Sequence, residues 1–370
     1  MYSCGLIQSL PATTSSVGHR RCAFHAPTVP FILLRLGVQL LERGPIRRVP
    51  GSCSGFGGQH ELERRALDDF HASGIGAAAG RGESTVSELV NADAEWLDRE
   101  YNPRTQIPQF AEFFSRWART AHEARESLQG RLDLRYGPAP AETLDFFAAP
   151  GSGKPLLLFL HGGYWRALDK KDFSWIAPAY VAAGISVAII NYGLAPATPI
   201  AQIIQQVRRA CAWLHGNAHE LDIDAERLVC AGHSAGGHLT AMMLATDWPH
   251  ISPQLPPRLL AGALTISGIF DLTPLTRAEF LRYDLQLEQS LAHELSPAFL
   301  PWHNDVPLVR AVGALESAEF HRQSTMMKQH WPRACERELL EVPGCNHLSV
   351  CDALGMPGTI LFEAIRAMVV

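Results

Sequence analysis

The sequence lacks the patterns that mark nucleic-acid-binding, membrane-spanning and disulfide-stabilised proteins. Its 370 residues carry a formal net charge of −5 and contain no run of lysine and arginine, so no nucleic-acid partner is expected. No apolar run is long enough to span a bilayer, and we expect no membrane partner. The eight cysteines include no Cys-x-x-Cys pair, which gives no sign of a zinc motif or a disulfide framework. We therefore expect a reduced, cytoplasmic protein.

Two short segments resemble ligand sites but lack essential parts of them. Cys345, His347 and Cys351 are close in sequence, yet no fourth metal ligand is suggested. Gly151–Lys154 reads GSGK, but a phosphate loop needs an earlier glycine, and Pro155 stands where Ser or Thr would bind magnesium. We therefore expect neither a metal nor a cofactor, and only a small-molecule substrate as partner.

The first 94 residues differ in composition from the rest of the chain. GPIRRVPGSCSGFGGQ and ASGIGAAAGRGES are rich in Gly, Ser, Pro and Arg and would bury too little apolar surface to fold. Residues 1–41 contain no Asp or Glu, which is a weak sign of a targeting peptide. After Met1 the next methionine is Met242, so a later start would need another initiation codon. We expect residues 1–94 to be a disordered extension, or the result of a start assigned too early.

Residues 95–370 alternate between apolar strands and amphipathic helices, which predicts one α/β domain. RLDLRYG and AETLDFFAAP predict an opening antiparallel pair, and PLLLFLHGG is typical of a central strand covered on both faces. Further strands alternate with helices, so the sheet should be mostly parallel, with helices on both faces. An amphipathic insert at residues 272–301 predicts a short helical cap, although it could equally be the interface of a homodimer.

The segment LVCAGHSAGGHL contains the pattern G-x-S-x-G between an apolar strand and a helix. This context predicts a sharp turn that presents the Ser234 hydroxyl as a nucleophile, with Gly232 and Gly236 leaving room for neighbouring chain segments. The helix that follows directs its N-terminal N–H groups toward developing negative charge. A structural tight turn is the alternative interpretation.

The loop HGGYW, after the predicted central strand, supplies the other parts of such a site. The N–H groups of Gly162 and Gly163, with that of Ala235, are predicted to form an oxyanion hole. We expect His161 to hold this loop by hydrogen bonding rather than to accept a proton.

Three residues near the predicted nucleophile are assigned to substrate binding: Tyr164, Trp165 and His233. Flat aromatic surface suits an aromatic substrate, although packing under the cap is the alternative for the two aromatic residues.

The general base and its acidic partner should follow the last two strands. VPGCNHLSV places His347 just after the last strand, and PLVRAVGALES places Glu316 after the strand before it. The order Ser234, Glu316, His347 is that of the α/β-hydrolases, with Glu in place of the commoner Asp. Asp271 is the alternative acid, although it precedes Leu272-Thr273-Pro274 and could instead cap a helix.

Taken together, HGGYW, INYGLAP, GHSAGGHL, SGIFDLTPL, GALESAEFHRQS and CNHLSV resemble the kynurenine formamidase (arylformamidase) family of α/β-hydrolases. The resemblance covers residues 95–370 and extends to hormone-sensitive-lipase-like esterases, which usually carry a third glycine where Tyr164 stands. It implies an α/β-hydrolase fold, Ser234 as nucleophile, His347 as base, and Gly162 and Gly163 in the oxyanion loop. It also implies hydrolysis of N-formylkynurenine to kynurenine and formate in tryptophan catabolism. A carboxylesterase for short acyl esters and a non-catalytic binding protein on the same scaffold are the alternatives.

Overall fold

The computed structural model describes residues 92–369, which form one eight-stranded sheet in the order β1-β2-β4-β3-β5-β6-β7-β8. The strands are β1 (Arg131–Arg135), β2 (Thr143–Phe147), β3 (Lys154–Leu160), β4 (Ser186–Ile190), β5 (Ile223–His233), β6 (Gly262–Ile266), β7 (Leu308–Gly313) and β8 (Leu340–Val342). β2 is antiparallel to both of its neighbours, and all other pairs are parallel. This confirms the predicted mostly parallel sheet. The prediction for residues 1–94 lies outside the described residues except at its last three positions, and it stays a prediction.

Helices cover both faces of the sheet. They are α1 (Ala94–Tyr101), α2 (Pro103–Gln106), α3 (Phe110–Leu128), α4 (Ala177–Ala182), α5 (Ile200–Gly216), α6 (Ala218–Leu221), α7 (Ala235–Leu244), α8 (Trp248–Ile251), α9 (Glu279–Leu285), α10 (Gln289–Glu294), α11 (Ala318–His330), α12 (Ser349–Asp352) and α13 (Ile360–Val369). Alternate residues of β3 enter two separate apolar clusters, Leu156 and Leu158 with α5 and α7, and Leu157 and Phe159 with α3, α4 and α13. The continuous apolar run in β3 is therefore explained by burial on both faces.

Helix α1, which precedes the sheet, is fixed to α11 by buried polar contacts. The Tyr101 hydroxyl, at the end of α1, donates a 2.5 Å hydrogen bond to Glu319 Oε2 in α11. Arg322 Nε lies 2.8 Å from Glu319 Oε1, so the buried carboxylate has a cationic partner. Because α11 follows β7, these contacts bring the first described residues next to the carboxyl ends of the strands.

The insert after β6 forms the predicted short cap, with α9 and α10 preceded by a 3₁₀ turn at Thr273–Arg277. Phe280 of α9 packs edge-on against Tyr164, with ring centroids 5.6 Å apart. Arg166 forms an ion pair with Asp284 and joins the cap to the loop after β3. A homodimer stays a prediction. Between residues 92 and 369, no helix combines the length and apolarity needed to cross a membrane.

Candidate active site

Ser234 occupies a tight turn between β5 and α7. Its backbone angles, φ 56° and ψ −117°, are unfavourable for a residue with a side chain. The glycines on either side are required by close contacts, since a Cβ at Gly232 would lie 2.1 Å from the Gly236 carbonyl oxygen. A Cβ at Gly236 would lie 2.0 Å from that of Leu160. The G-x-S-x-G pattern therefore reflects contacts in which any larger residue would collide with backbone.

The glycine pair after β3 lies directly against this turn. A Cβ at Gly162 would lie 3.0 Å from the His233 carbonyl oxygen and 3.2 Å from the Ser234 Cβ. Gly163 has φ +106°, and a Cβ there would lie 2.2 Å from the Ala167 carbonyl oxygen. Among the hydrogen bonds of residues 92–369, none uses the N–H groups of Gly162, Gly163 or Ala235. These three N–H groups therefore have no hydrogen-bond partner among the described residues.

His161 is fully buried at the start of this loop. Its Nδ1 lies 2.8 Å from the Gly162 carbonyl oxygen, and its ring stacks on Tyr192 at a centroid distance of 4.3 Å. The Tyr192 hydroxyl also donates a 2.7 Å hydrogen bond to the His161 carbonyl oxygen. Burial lowers the pKa of His161, so the imidazole is neutral and fixes the loop by hydrogen bonding.

His347 and Glu316 are in direct contact at the same edge of the sheet. Nδ1 of His347 donates to Oε2 of Glu316 at 2.6 Å, which leaves Nε2 as the acceptor nitrogen. The other Glu316 oxygen, Oε1, accepts hydrogen bonds from Ser267 Oγ at 2.5 Å and from the Gly313 N–H at 2.6 Å. The Glu316 side chain is fully buried, and its carboxylate has a partner on each oxygen.

The alternative acid, Asp271, is placed elsewhere. Its Oδ1 accepts hydrogen bonds from the Thr273 N–H at 2.9 Å and from the Thr273 hydroxyl at 2.6 Å. Asp271 therefore stabilises the start of the cap, and Glu316 is the carboxylate in contact with His347.

Two further residues hold the His347 imidazole and its backbone. The Phe320 ring lies against the His347 imidazole with centroids 4.2 Å apart. His233 Nε2 lies 2.7 Å from the His347 carbonyl oxygen, which can only accept, so Nε2 carries the proton. Burial, and then the neighbouring His347, lower the pKa of His233 well below its usual value. His233 was assigned to substrate binding, and the structure shows that its proton is engaged by the backbone of His347.

A cavity opens beside Ser234 and His347. Most of its wall is aromatic or apolar, and its lining residues are Asn102, Pro103, Arg104, Phe114, Trp117, Gly163, Tyr164, Arg166, Ala167, Leu168, His233, Ser234, Phe280, His347 and Leu348. Tyr164 lies in this wall, where its hydroxyl donates a hydrogen bond to the Tyr101 carbonyl oxygen. An aromatic ring would therefore find apolar contacts close to the Ser234 hydroxyl.

The structure corrects the assignment of Trp165 to the substrate pocket. This side chain is fully buried and does not line the cavity. It packs edge-on against His238, with ring centroids 5.0 Å apart. Tyr164 and Trp165 both have positive φ, at 50° and 54°, so successive side chains leave a tight turn in different directions. Because the two residues are neighbours in sequence, the sequence alone could not show that only Tyr164 lines the cavity.

Sequence reasoning missed most of the cavity wall and one partner of Glu316. Asn102, Arg104, Phe114 and Trp117 come from residues before the first strand and reach the site through long-range packing. Ser267 directly follows β6, and its position at a strand end was a signal that could have found it.

The chain is similar to known formamidases and esterases. A family described as BD-FAE matches residues 144–256. Kynurenine formamidase of Salmo salar is 30% identical over 246 residues, which covers 62% of this chain and 79% of that protein. Carboxylesterase NlhH of Mycobacterium tuberculosis is 38% identical over 200 residues, covering 52% of this chain and 62% of that protein. The crystal structure of a thioesterase candidate from Silicibacter sp. TM1040 is also similar to this chain, with 32% sequence identity and a TM-score of 0.66. The match covers 73% of this chain and 98% of the other.

Proposed function

Since the chain belongs to the kynurenine formamidase family of α/β-hydrolases, we propose that it hydrolyses an aromatic N-formyl amide, with N-formylkynurenine as its substrate. Its enzyme class is that of the serine hydrolases. The observation that carries the proposal is the cavity beside Ser234, whose wall includes the aromatic residues Phe114, Trp117, Tyr164 and Phe280. A formyl group has no carbon beyond its carbonyl, so it needs little space on the acyl side.

The proposed reaction begins with attack of Ser234 Oγ on the formyl carbon while His347 Nε2 accepts the hydroxyl proton. The carbonyl oxygen becomes an oxyanion that the N–H groups of Gly162, Gly163 and Ala235 stabilise. Loss of one such donor typically lowers the rate by about 100- to 1000-fold. His347 then gives its proton to the leaving aryl nitrogen as the C–N bond breaks.

The second half of the reaction releases formate. A water molecule attacks the formyl ester on Ser234, His347 accepts a proton from that water, and the Ser234 oxygen leaves and regains a proton. Glu316 keeps the imidazole in the productive orientation and stabilises it when it is charged.

A carboxylesterase for short acyl esters is the second candidate, and the similarity to a mycobacterial carboxylesterase favours it. The same groups would perform ester cleavage, because the oxyanion and the acyl-enzyme are common to both reactions. The two functions differ in the leaving group, which is an aryl amine in one and an alcohol or phenol in the other.

The test compares kcat/KM for N-formylkynurenine with that for p-nitrophenyl acetate and butyrate. A preference of about a hundredfold or more for the formyl amide, equivalent to about 2.7 kcal/mol, is the expected result. A preference for the esters would overturn the formamidase proposal.

The role of Ser234 is tested in the same assay with Ser234→Ala, which should abolish turnover and labelling by a fluorophosphonate. Ser115→Ala is the matched control, because Ser115 is exposed on α3 and its hydroxyl donates a hydrogen bond to the Ala111 carbonyl oxygen of the same helix. Activity near the wild-type level in Ser234→Ala would contradict the mechanism.

A further inference from the structure

Two guanidinium groups belong to the cavity wall, and they differ in their partners. Arg166 is engaged, since it forms an ion pair with Asp284 and donates a 2.7 Å hydrogen bond to the Phe280 carbonyl oxygen. The Arg104 guanidinium forms no ion pair or hydrogen bond with any residue between 92 and 369. The positive charge of Arg104 is therefore available to a ligand.

Aromatic rings determine where the Arg104 side chain lies. Its guanidinium carbon is 5.3 Å from the centroid of Phe110 and 6.0 Å from that of Phe114. Both rings attract the cation through their faces, and neither neutralises its charge. Because Phe114 itself lines the cavity, this stacking holds the guanidinium at the cavity wall.

The electrostatics of the cavity favour an anion. None of the described residues that line it is Asp or Glu, so no neighbouring carboxylate in the wall offsets the charge of Arg104. A planar guanidinium offers two parallel N–H donors that match the geometry of a carboxylate. If the aromatic ring of a substrate packs against Phe114 and Trp117, a carboxylate on the substrate is attracted by the positive charge of Arg104.

We propose that Arg104 binds the carboxylate of the substrate and selects aryl amides that carry an acidic side chain. This inference rests on the proposed function for the identity of the reacting bond. The proposed specificity residue lies in α2, whereas Ser234, Glu316 and His347 lie in segments that follow strands of the sheet. Arg104 acts in binding and takes no part in the proton transfers.

The test uses two substrates with the same reacting group, one that carries a carboxylate and one that does not. The selectivity ratio is kcat/KM for N-formylkynurenine divided by kcat/KM for N-(2-acetylphenyl)formamide, which lacks the amino-acid portion. In Arg104→Gln the ratio should fall about fivefold, equivalent to about 1 kcal/mol, mainly through a higher KM for N-formylkynurenine, because an ion pair at an exposed rim is weak. Arg104→Lys keeps the charge and should retain part of the ratio.

The matched control is Arg119→Gln, which removes an exposed arginine of α3 that does not line the cavity. It should leave the ratio unchanged. An unchanged ratio in Arg104→Gln would overturn the inference.

A second pair of substrates separates failure of this inference from failure of the proposed function. If wild-type enzyme prefers esters, the same ratio is measured with 4-acetoxyphenylacetate and the neutral p-tolyl acetate. A fivefold fall in Arg104→Gln then supports the role of Arg104 on an esterase, and no fall rejects it.

Discussion

At the scale of single residues, the contacts of Glu316 fit the role of triad acid that we propose for it. Ser267 and the Gly313 N–H hold one carboxylate oxygen, so the other is directed at His347. A hydrogen bond to a buried charge contributes about 1.5–3 kcal/mol, and part of that orients the carboxylate. Ser267 is therefore a positioning residue for the triad that we propose.

Removal of this hydroxyl should affect catalysis more than binding. We expect Ser267→Ala to lower kcat about tenfold with little change in KM, because Ser267 does not line the cavity. The loss should be equal for formyl amide and ester substrates, unlike the loss expected for Arg104→Gln. Ser324→Ala is the control, since Ser324 is also buried but its hydroxyl has no hydrogen-bond partner in the described chain. A change in KM without a change in kcat would reject the positioning role.

Local motifs and the order of the strands were sufficient to predict some of the candidate site residues. Ser234 lies in a motif whose glycines are dictated by backbone contacts, and the structure puts Glu316 against His347, as the order of strands indicates. Trp165 could not be assigned in this way, because its environment depends on turn geometry. The contact between His233 Nε2 and the His347 carbonyl oxygen could not be predicted either, because it joins residues 114 positions apart in the chain.

At the scale of elements, the loop after β3 is defined by its backbone conformation. Gly163, Tyr164, Trp165 and Leu168 all have positive φ, at 106°, 50°, 54° and 72°. Such conformations persist only where the surroundings impose them. Here the Tyr164 hydroxyl bond to Tyr101 and the Arg166 ion pair with the cap supply that constraint.

A methyl group at Gly163 should disrupt this loop and its proposed oxyanion donors. We expect Gly163→Ala to lower kcat/KM by about 100-fold or more, since its Cβ would lie 2.2 Å from the Ala167 carbonyl oxygen. Gly216→Ala, at the end of α5, is the control, because among residues 92–369 none beyond its own helix and chain neighbours lies within 4 Å of its Cβ position. Thermal unfolding distinguishes a local effect from loss of the fold. Wild-type activity in a folded Gly163→Ala protein would contradict this account of the loop.

At the scale of the whole molecule, buried histidines should make stability depend on pH. Burial lowers the pKa of His161, His233 and His238, in the last case to about 4. In the unfolded chain each titrates near its usual value of about 6.5. Below that pH the unfolded chain binds more protons than the folded one, so the free energy of unfolding falls as pH falls.

Urea denaturation between pH 7.5 and pH 4.5 should show this loss of stability. Each histidine contributes a slope of up to about 1.4 kcal/mol per pH unit, and the contribution is fully present above about pH 6.5. His238→Gln should lower the slope, because the pKa of the buried His238 is lowered to about 4. An identical slope in wild type and His238→Gln would show that His238 does not contribute.

The overall fold was predictable from the sequence because it depends on short-range patterns. The apolar run of β3 and the alternation of strands and helices determine a mostly parallel sheet covered on both faces. The cavity was less predictable, because its wall includes residues that precede β1 and are held there by Tyr101, Glu319 and Arg322. No local pattern in the sequence encodes that long-range packing.

The groups proposed to perform the chemistry all follow strands β3, β5, β7 and β8, whereas a large part of the cavity wall comes from residues 102–117, before the sheet begins. In our proposals, the reacting groups and the substrate-binding Arg104 therefore lie in separate stretches of the chain. Substitutions in the early stretch would then change substrate preference while the groups that perform the chemistry stay the same. A scaffold arranged like this can diversify its substrates during evolution without passing through an inactive ancestor.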